Sequence, residues 1–369
     1  MNNKILYVFA NMGHLNELPK SGGQSSARRV MKGLQDSGFT IVPIRRHRAE
    51  LEGRWKHQME IMTFAVIDLL KIISKIAIGN RKNSAFLHLT YSGPLVPYEL
   101  IITRVVRMMG YKSMIYLKGG QVLDYYKNGS DRHRRLFKKT MDLQSKVFFE
   151  GIESLQLVKG ISNTPLVYFP NFVFDNQIPT VLSERPKDTI GLLYFGRIAP
   201  NKNIDVILDT FELLCKQYNN LHLTIIGGIG QSKSYADMID RRISDSPYND
   251  KIIRMGITPF EKIKEIMQIQ HFFIFPSQEK AEGHSNSLNE AMSQGLIPIV
   301  SDYHFNRSVV GDDRLVVKGF NAKCYADRID SILKNDNLKE LSEQMWKRVK
   351  NCYVDNRVME NIMKELNSI

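Results

Sequence analysis

The sequence predicts an α/β protein with two doubly wound domains, each a parallel sheet covered by helices on both faces. Three observations lead to this prediction. Short apolar segments of strand length alternate with segments of helical period along the chain. Residues 169–187 contain three prolines and no clear period, and the alternation resumes after them. The 369 residues are long for one domain and sufficient for two apolar cores.

Six strands and five helices are predicted in the first half. The strands are residues 4–10, 39–44, 85–91, 112–117, 146–150 and 166–170. The helices are residues 25–36, 57–78, 97–109, 131–142 and 152–159. Because strands that alternate with helices are joined by crossovers, we expect them to pair in parallel.

The second half repeats this order, and its last fifty residues are mostly helical in pattern. The predicted strands are residues 189–196, 221–228, 251–256, 271–277, 297–302 and 314–317. The predicted helices lie near residues 203–217, 233–244 and 259–267, with another after the segment 282–285. We therefore expect a first domain at 1–172, a linker at 173–188 and a second domain at 189–350.

The residues that follow the predicted strands are rich in glycine and polar side chains. Examples are FGRIAPNKN after the strand 189–196 and FPSQEKAEGHS at the end of the strand 271–277. Ligands of doubly wound sheets bind beyond the carboxyl ends of the strands. With two such domains, we expect the site in the cleft between them.

The composition favours a cytoplasmic protein. Cys215, Cys324 and Cys352 are scattered without metal-ligand spacing, which fits a reducing compartment. The apolar run in residues 1–13 is too short for a signal peptide, and we interpret it as the first strand. Residues 59–79 are largely apolar, but Asp68, Lys71 and Lys75 interrupt them at helical spacing, so we predict an amphipathic helix rather than a membrane span.

The positive charge lies in the first half. Residues 1–175 hold 26 Lys and Arg against 13 Asp and Glu, whereas residues 176–369 hold 25 of each class. The positive electrostatic potential of such a domain favours a polyanionic partner, namely membrane phosphates, a lipid diphosphate or nucleic acid. A requirement for solubility is an alternative explanation of the charge excess. No zinc finger, RNA-recognition signature or helix-turn-helix stands out, so nucleic acid is not expected.

Arg197 and Lys202 follow a predicted strand and precede a predicted helix, with Asn203 as a candidate N-cap. Two cations beside a helix N-terminus can bind phosphate, because the helix dipole and the free N–H groups add to the side-chain charges. Arg and Lys in loops are equally often only solvated, and this alternative stays open.

The segment AEGHSNSLNEAM carries Glu282 and Glu290 on either side of a predicted helix start. Ser285 or Ser287 can cap that helix. Ser287 and Glu290 also match a capping box, in which Glu290 would only stabilise its own helix. Glu282 precedes the helix, where capping does not need it. Small polar residues at a helix N-terminus, with a carboxylate beside them, suit an anionic ligand that carries sugar hydroxyls.

Together these motifs resemble the retaining nucleotide-sugar glycosyltransferases of family 4, which have the GT-B fold. Glu282 and Glu290 correspond to the Glu-x7-Glu signature of that family, and Arg197 and Lys202 to its Arg and Lys pair. Residues 21–24, Ser-Gly-Gly-Gln, resemble the glycine loop of its N-terminal domain. The resemblance covers both halves in the same order. It also implies that the C-terminal helix, residues 351–369, packs back towards the first domain.

The resemblance implies roles for individual residues. Arg197 and Lys202 would hold the donor diphosphate and help the nucleotide leave, while Glu282 would hold the transferred sugar. These three are the expected catalytic residues. Glu290 would accept hydrogen bonds from the ribose. The other expected donor-binding residues are Gly22, Gly23, Gly256, Ile257, His284, Ser285, Asn286, Ser287 and Leu288.

One position departs from the family pattern. Many members have a His that reaches the donor sugar where this chain has Lys118, followed by Gly119 and Gly120. A lysine cannot replace a neutral imidazole, but it could contact a phosphate or an acidic sugar. Lys118 is therefore a candidate donor-binding residue; a surface lysine before a glycine turn is the alternative.

No metal or other cofactor is expected. The sequence has no Asp-x-Asp motif, and two fixed cations can replace a divalent metal beside a diphosphate. The donor would be a UDP- or GDP-linked sugar, and retention of configuration is expected from the family.

Basic segments at residues 45–57, with Trp55 among cations, and at residues 131–139 favour a lipid-linked saccharide acceptor, such as an undecaprenyl-diphosphate saccharide. Solvated helix faces are the alternative. We expect peripheral binding at the inner face of the cell membrane, in synthesis of a capsule or a lipopolysaccharide O-antigen. A transferase or phosphorylase of the same fold with a soluble acceptor, and a non-enzymatic basic binding protein, are the rival functions.

Overall fold

A computed structural model describes residues 4–19, 21–48, 54–230 and 232–368. It divides into two compact units. The first unit comprises the chain up to Asn171 and the segment from Val358 onward, and the second unit runs from Phe172 to Arg357. Part of the basic segment at residues 45–57, namely residues 49–53, lies outside the described residues.

The first unit contains a parallel sheet of six strands in the order β2-β1-β3-β4-β5-β6. The strands are β1 (Ile5–Ala10), β2 (Thr40–Arg45), β3 (Ser84–Thr90), β4 (Lys112–Leu117), β5 (Lys146–Phe149) and β6 (Leu166–Tyr168). The helices are α1 (Gly22–Asp36), α2 (Arg54–Ala77), α3 (Val96–Met108), α4 (Gln121–Asn128), α5 (Asp131–Asp142) and α6 (Ile152–Val158).

The second unit contains another parallel six-stranded sheet, in the order β12-β11-β10-β7-β8-β9. Its strands are β7 (Ile190–Phe195), β8 (Leu221–Ile226), β9 (Ile252–Met255), β10 (Phe272–Phe275), β11 (Ile297–Ser301) and β12 (Val316–Val317). Its helices are α7 (Ile204–Cys215), α8 (Lys233–Asp245), α9 (Phe260–Met267), α10 (Asn286–Ser293), α11 (Asn306–Val310), α12 (Ala322–Asn335) and α13 (Leu338–Cys352).

The last helix, α14 (Asp355–Asn367), begins in the second unit and ends in the first. Within the first unit, the carboxylate of Glu365 pairs with the ammonium of Lys146 at the start of β5. Lys4 also donates to the carbonyl oxygen of Leu366, 3.4 Å away. These contacts attach the carboxyl-terminal part of α14 to the first sheet.

The predicted architecture of two doubly wound α/β domains is confirmed, with local differences. Helix α1 begins at Gly22, three residues before the predicted start, because the hydroxyl of Ser21 accepts the N–H of Gln24 at 3.3 Å and caps the helix there. Gly22 and Gly23 consequently lie in a first helical turn rather than in a loop. The short helices α4 and α11 were not predicted.

An apolar cluster fixes one side of the first sheet. Phe9 of β1 and Phe86 of β3 pack with Ile72 and Ile76 of α2 and with Ile102 of α3. These side chains are at most 1% exposed, so one face of the carboxyl-terminal half of α2 belongs to the core of the unit. None of the helices in the described part of the chain is both long and apolar enough to cross a membrane.

Candidate active site

The second sheet brings together two loops that are far apart in the sequence. Strands β7 and β10 are adjacent, with Leu192 beside Phe272 and Leu193 beside Phe273. Because the strands are parallel, the loop after β7 and the loop after β10 emerge at the same edge. The first loop carries Arg197 and Lys202, and the second carries Glu279 and Glu282.

Lys202 and Glu282 form a buried ion pair at this edge. The Lys202 ammonium contacts the Oε2 atom of Glu282 and lies 3.2 Å from the hydroxyl of Ser277. It is also 5.5 Å from the centroid of the Phe275 ring, and Lys202 is only 7% exposed. Burying an ammonium group is costly unless an opposite charge and hydrogen-bond acceptors surround it. The ion pair therefore holds the loop after β7 and the loop after β10 in a fixed arrangement.

The two oxygens of Glu282 differ in their surroundings. Oε2 accepts from both Lys202 and the Ser277 hydroxyl, which is 2.7 Å away. Oε1 has no hydrogen-bond donor among the residues that the structure describes. Glu282 can therefore accept a hydrogen bond from a ligand hydroxyl without releasing Lys202.

Arg197 has an analogous partner that the sequence analysis did not single out. One guanidinium nitrogen lies 3.0 Å from Oε2 of Glu279, and the side-chain amide of Asn201 donates to the same oxygen at 2.6 Å. The Arg197 side chain is 39% exposed, so it remains open to solvent. In the sequence, the only indication that Glu279 could pair with Arg197 is its position three residues before Glu282 in the same loop.

Helix α10 begins directly after this loop, with Ser285 as its N-cap. The Ser285 hydroxyl accepts the N–H of Leu288 at 3.4 Å and lies 3.0 Å from the hydroxyl of Ser287. Ser287 is thus inside the first turn, and Glu290 is five positions beyond the cap. The capping-box alternative for Glu290 is wrong, because that motif requires the Glu three positions after the cap.

His284 is directed into the unit rather than towards solvent. It is 2% exposed, its Nε2 atom lies 2.9 Å from Oδ1 of Asn289, and its ring packs edge-on against Tyr353. A contact between His284 and a donor would therefore involve its backbone. The N–H groups in the first turn of α10 point out of the helix end, where anions bind favourably.

Gly256 and Ile257 follow β9, and the Ile257 side chain lies near the end of β8. A Cβ atom on Gly228 would meet the Ile257 side chain at 2.7 Å. A Cβ atom on Gly227 would meet the carbonyl oxygen of Gly196 at 1.7 Å, so only glycine permits this approach between the ends of β7 and β8. The loops after β7 and β8 are therefore packed closely. Ile257, by contrast, is 86% exposed.

The remaining predicted residues lie in the first unit. Gly23 approaches Tyr91 so closely that a Cβ atom would be 2.2 Å from its hydroxyl oxygen, whereas Gly22 faces open space. Lys118 is 3% exposed; it lies 3.0 Å from Oε1 of Glu150 and 3.0 Å from Oδ1 of Asn171. Burial lowers the pKa of Lys118, and the Glu150 carboxylate opposes this effect.

This placement of Lys118 argues against the predicted direct contact with a donor. Besides Glu150 and Asn171, the ammonium contacts the hydroxyl of Ser26 and lies 4.7 Å from the centroid of the Tyr116 ring. The ammonium is thus surrounded by protein groups and is not directed at solvent. The sequence analysis had considered a donor-binding lysine and a surface lysine, and this position fits neither. In the described part of the chain, no group of three or more His, Cys, Asp or Glu side chains could hold a metal ion.

Part of the chain matches a known protein family. Residues 181–351 match the family of glycosyl transferases group 1. This segment lies within the second unit and includes Arg197, Lys202, Glu279 and Glu282. This part of the chain is therefore similar to group 1 glycosyl transferases.

Similar proteins include enzymes of surface polysaccharide synthesis. The capsular polysaccharide biosynthesis glycosyltransferase CapH of Staphylococcus aureus is 26% identical over 328 residues, which are 83% of each chain. The poly(glycerol-phosphate) alpha-glucosyltransferase of Bacillus subtilis is 24% identical over 58% of this chain, but the match spans only 32% of that protein. The GDP-mannose:cellobiosyl-diphosphopolyprenol alpha-mannosyltransferase of Xanthomonas oryzae is 28% identical over 44% of this chain and 45% of its own length.

Solved structures show the same fold. The sucrose-phosphate synthase of Thermosynechococcus elongatus superposes with a TM-score of 0.73 over 99% of this chain and 100% of its own, at 15% identity. The expected GT-B fold is thereby confirmed.

Proposed function

We propose that the protein is a retaining glycosyltransferase of family 4. It transfers a sugar from a UDP- or GDP-linked donor to a lipid-linked saccharide in the synthesis of a cell-surface polysaccharide. The observation that carries the proposal is the cluster of two ion pairs, Arg197 with Glu279 and Lys202 with Glu282, beside the N-terminus of α10. The match to group 1 glycosyltransferases over residues 181–351 supports it.

The donor diphosphate would bind between the two cations and the first turn of α10. Arg197 and Lys202 would each share their charge between a carboxylate and the diphosphate. As the glycosidic bond breaks, negative charge grows on the departing nucleotide, and fixed cations stabilise this charge without rearranging. Two cations and a helix N-terminus can perform this task without a metal ion, so we propose metal-independent catalysis.

The two glutamates would hold the sugars of the donor. Oε1 of Glu282 would accept from a hydroxyl of the transferred sugar while Lys202 retains Oε2. Glu290 would accept from the ribose hydroxyls, and the backbone at Gly256 and Ile257 would contact the base. We include Ser285–Leu288 as backbone donors, and we assign Lys118 a positioning role in the first unit.

The acceptor would bind to the first unit, which carries the excess of positive charge. Two relatives support a lipid-linked saccharide, because one is named for capsular polysaccharide and another for a diphosphopolyprenol. We propose that the protein acts from the cytoplasm at the inner face of the cell membrane. A soluble acceptor is the second candidate, since a sucrose-phosphate synthase shares the fold.

A panel of nucleotide sugars, offered with and without a lipid-diphosphate saccharide, tests the proposal. We expect UDP or GDP to raise the melting temperature and one donor to be hydrolysed slowly, because water can replace the acceptor. Glu282→Gln should reduce turnover by about 10²-fold, since one oxygen is replaced by a donor amide.

Glu343→Gln is the matched control, because Glu343 is an exposed partner of Lys347 on α13 of the same unit. It should retain full turnover. If neither nucleotide shifts the melting temperature and no donor is consumed, the protein is a basic binding protein rather than a transferase. Faster turnover with a free sugar phosphate than with the lipid-linked saccharide would favour the soluble acceptor.

A further inference from the structure

Helix α2 presents a continuous apolar stripe to solvent. Trp55, Met59, Met62, Val66 and Leu70 are between 59% and 80% exposed. Their spacing of four, three, four and four residues places them on one face of the helix. Single exposed apolar residues are common, but an aligned set of five large side chains is typical of an interaction surface.

The fold does not require this stripe. Helix α2 is fixed to the first unit through its other side, where Ile72 and Ile76 are buried against the sheet. Asp68 on the inner side accepts from the backbone N–H of His47 at 3.1 Å. Residues 55–59, near the start of the helix, are all exposed. The exposed side chains therefore pack on nothing in the unit.

Of the exposed lysines of α2, only Lys56 borders the stripe, because it follows Trp55 directly. At 3.6 residues per turn, Lys71 and Lys75 lie on the far side of the helix from the stripe. Lys56, Lys71 and Lys75 are exposed, whereas Asp68 is buried. Glu60 is the one acidic side chain of α2 that is not buried in the described structure. A helix with an exposed apolar face, on a unit with an excess of basic residues, is typical of proteins that bind an anionic membrane surface.

We propose that α2 is the membrane-docking element of this protein. Its stripe inserts among the lipid headgroups of an anionic bilayer, while Lys56 at the edge of the stripe contacts lipid phosphates. The proposal rests on the lipid-linked acceptor of the proposed function and names the surface that would bring the enzyme to it. Charge attraction alone would be screened by salt, whereas insertion of apolar side chains is not.

Charge favours a bilayer over a second copy of the chain. The first half carries twice as many basic as acidic residues, with 26 against 13. A symmetric contact through α2 would bring two such surfaces together, and like charges would oppose it. Anionic lipids instead complement both the apolar stripe and the basic character of the first half.

Co-sedimentation of the full chain with vesicles tests the proposal. With about 30 mol % phosphatidylglycerol, we expect binding that persists in part at about 0.5 M NaCl. The double variant Met62→Glu, Val66→Glu should bind at least about tenfold more weakly, because two inserted side chains become charged. Trp55 emission should shift to shorter wavelength with vesicles and be quenched by brominated lipid, and Trp55→Phe should lose both signals.

Met108→Glu is the matched control, because Met108 is an equally large, 85% exposed side chain on α3 outside the stripe. It should bind vesicles like the wild type. If the double variant binds vesicles as well as the wild type, the proposal is wrong. It is also wrong if ultracentrifugation shows that the wild type and Met108→Glu are dimers while the double variant is a monomer, because the stripe would then be a dimer interface. Donor hydrolysis, measured in parallel without lipid, reports on the proposed function separately: its absence overturns the transferase assignment but not the docking surface.

Discussion

Lys118 and Lys202 are both buried and both pair with a glutamate, but the two glutamates differ in how their oxygens are hydrogen-bonded. Lys118 follows β4 and pairs with Glu150, which follows the adjacent β5; Lys202 follows β7 and pairs with Glu282, which follows the adjacent β10. Both Glu150 oxygens are occupied, Oε1 by Lys118 and Oε2 by the N–H of Gly119 at 2.7 Å. In Glu282, by contrast, both donors converge on Oε2.

This difference separates a structural ion pair from one that can also bind a ligand. Each oxygen of the Glu150 carboxylate already has a protein donor, and its pair with Lys118 stabilises the ends of β4 and β5. The carboxylate of Glu282 keeps one oxygen available. A lysine and a glutamate at the ends of adjacent parallel strands are therefore insufficient evidence of a site.

Replacing each lysine by methionine should give the largest contrast. Lys202→Met removes a cation from the proposed diphosphate site, and we expect kcat to fall by about 10²–10³-fold. Lys118→Met leaves Glu150 buried without its cation, which should lower the free energy of unfolding by about 3–5 kcal/mol. Urea unfolding and transfer kinetics, measured on both variants, compare the two effects.

Stability should fall less in Lys202→Met than in Lys118→Met. The side chain of Glu282 is 13% exposed, against 4% for Glu150, so water can replace more of the lost interaction. Equal loss of activity in both variants, at equal folded fractions, would contradict the structural role of Lys118. Full activity of Lys202→Met would contradict the proposed chemistry.

A smaller effect is expected when Glu279 is replaced. Glu279→Gln keeps the shape of the side chain but removes the charge that faces Arg197. Because Arg197 is 39% exposed, this ion pair contributes about 1 kcal/mol or less. We expect the donor KM to change by up to about fivefold, with kcat and the melting temperature nearly unchanged. A loss of kcat as large as that of Lys202→Met would make Glu279 a catalytic rather than a positioning residue.

The pH dependence of stability should show the smallest difference. Burial lowers the pKa of Lys118 from 10.5, so between the lowered value and 10.5 the unfolded chain binds more protons at this residue than the folded chain. Stability then rises with pH across that window, and the cost of burying the ammonium is fully present below the lowered pKa. Urea unfolding over a series of alkaline pH values measures this slope.

The wild type should therefore show a steeper rise in this window than Lys118→Met. The exposed Lys159→Met is the control, and it should keep the wild-type slope. A wild-type slope equal to that of Lys118→Met would mean that Lys118 titrates in the folded protein as it does in water.

Most of the fold could be predicted from the sequence, because strand and helix periods are local properties. All twelve strands were predicted close to their observed positions, including the two-residue β12. The start of α1 was missed, because the predicted helix followed its apolar period from Ser25, whereas the cap at Ser21 sets the start. Of the four residues in the proposed ion-pair cluster, the sequence analysis singled out Arg197, Lys202 and Glu282 but not Glu279.

The sequence alone determined the order of the elements, the basic character of the first half and the residues at the strand ends that carry charge. The tertiary structure decided which of these charges meet. Lys202 and Glu282 are 80 residues apart, and only the adjacency of β7 and β10 joins them. Local sequence does not predict that pairing, the burial of Lys118, or which face of α2 packs on the sheet. Each of these is a property of the packed unit, in which burial and distance arise from contacts between distant segments.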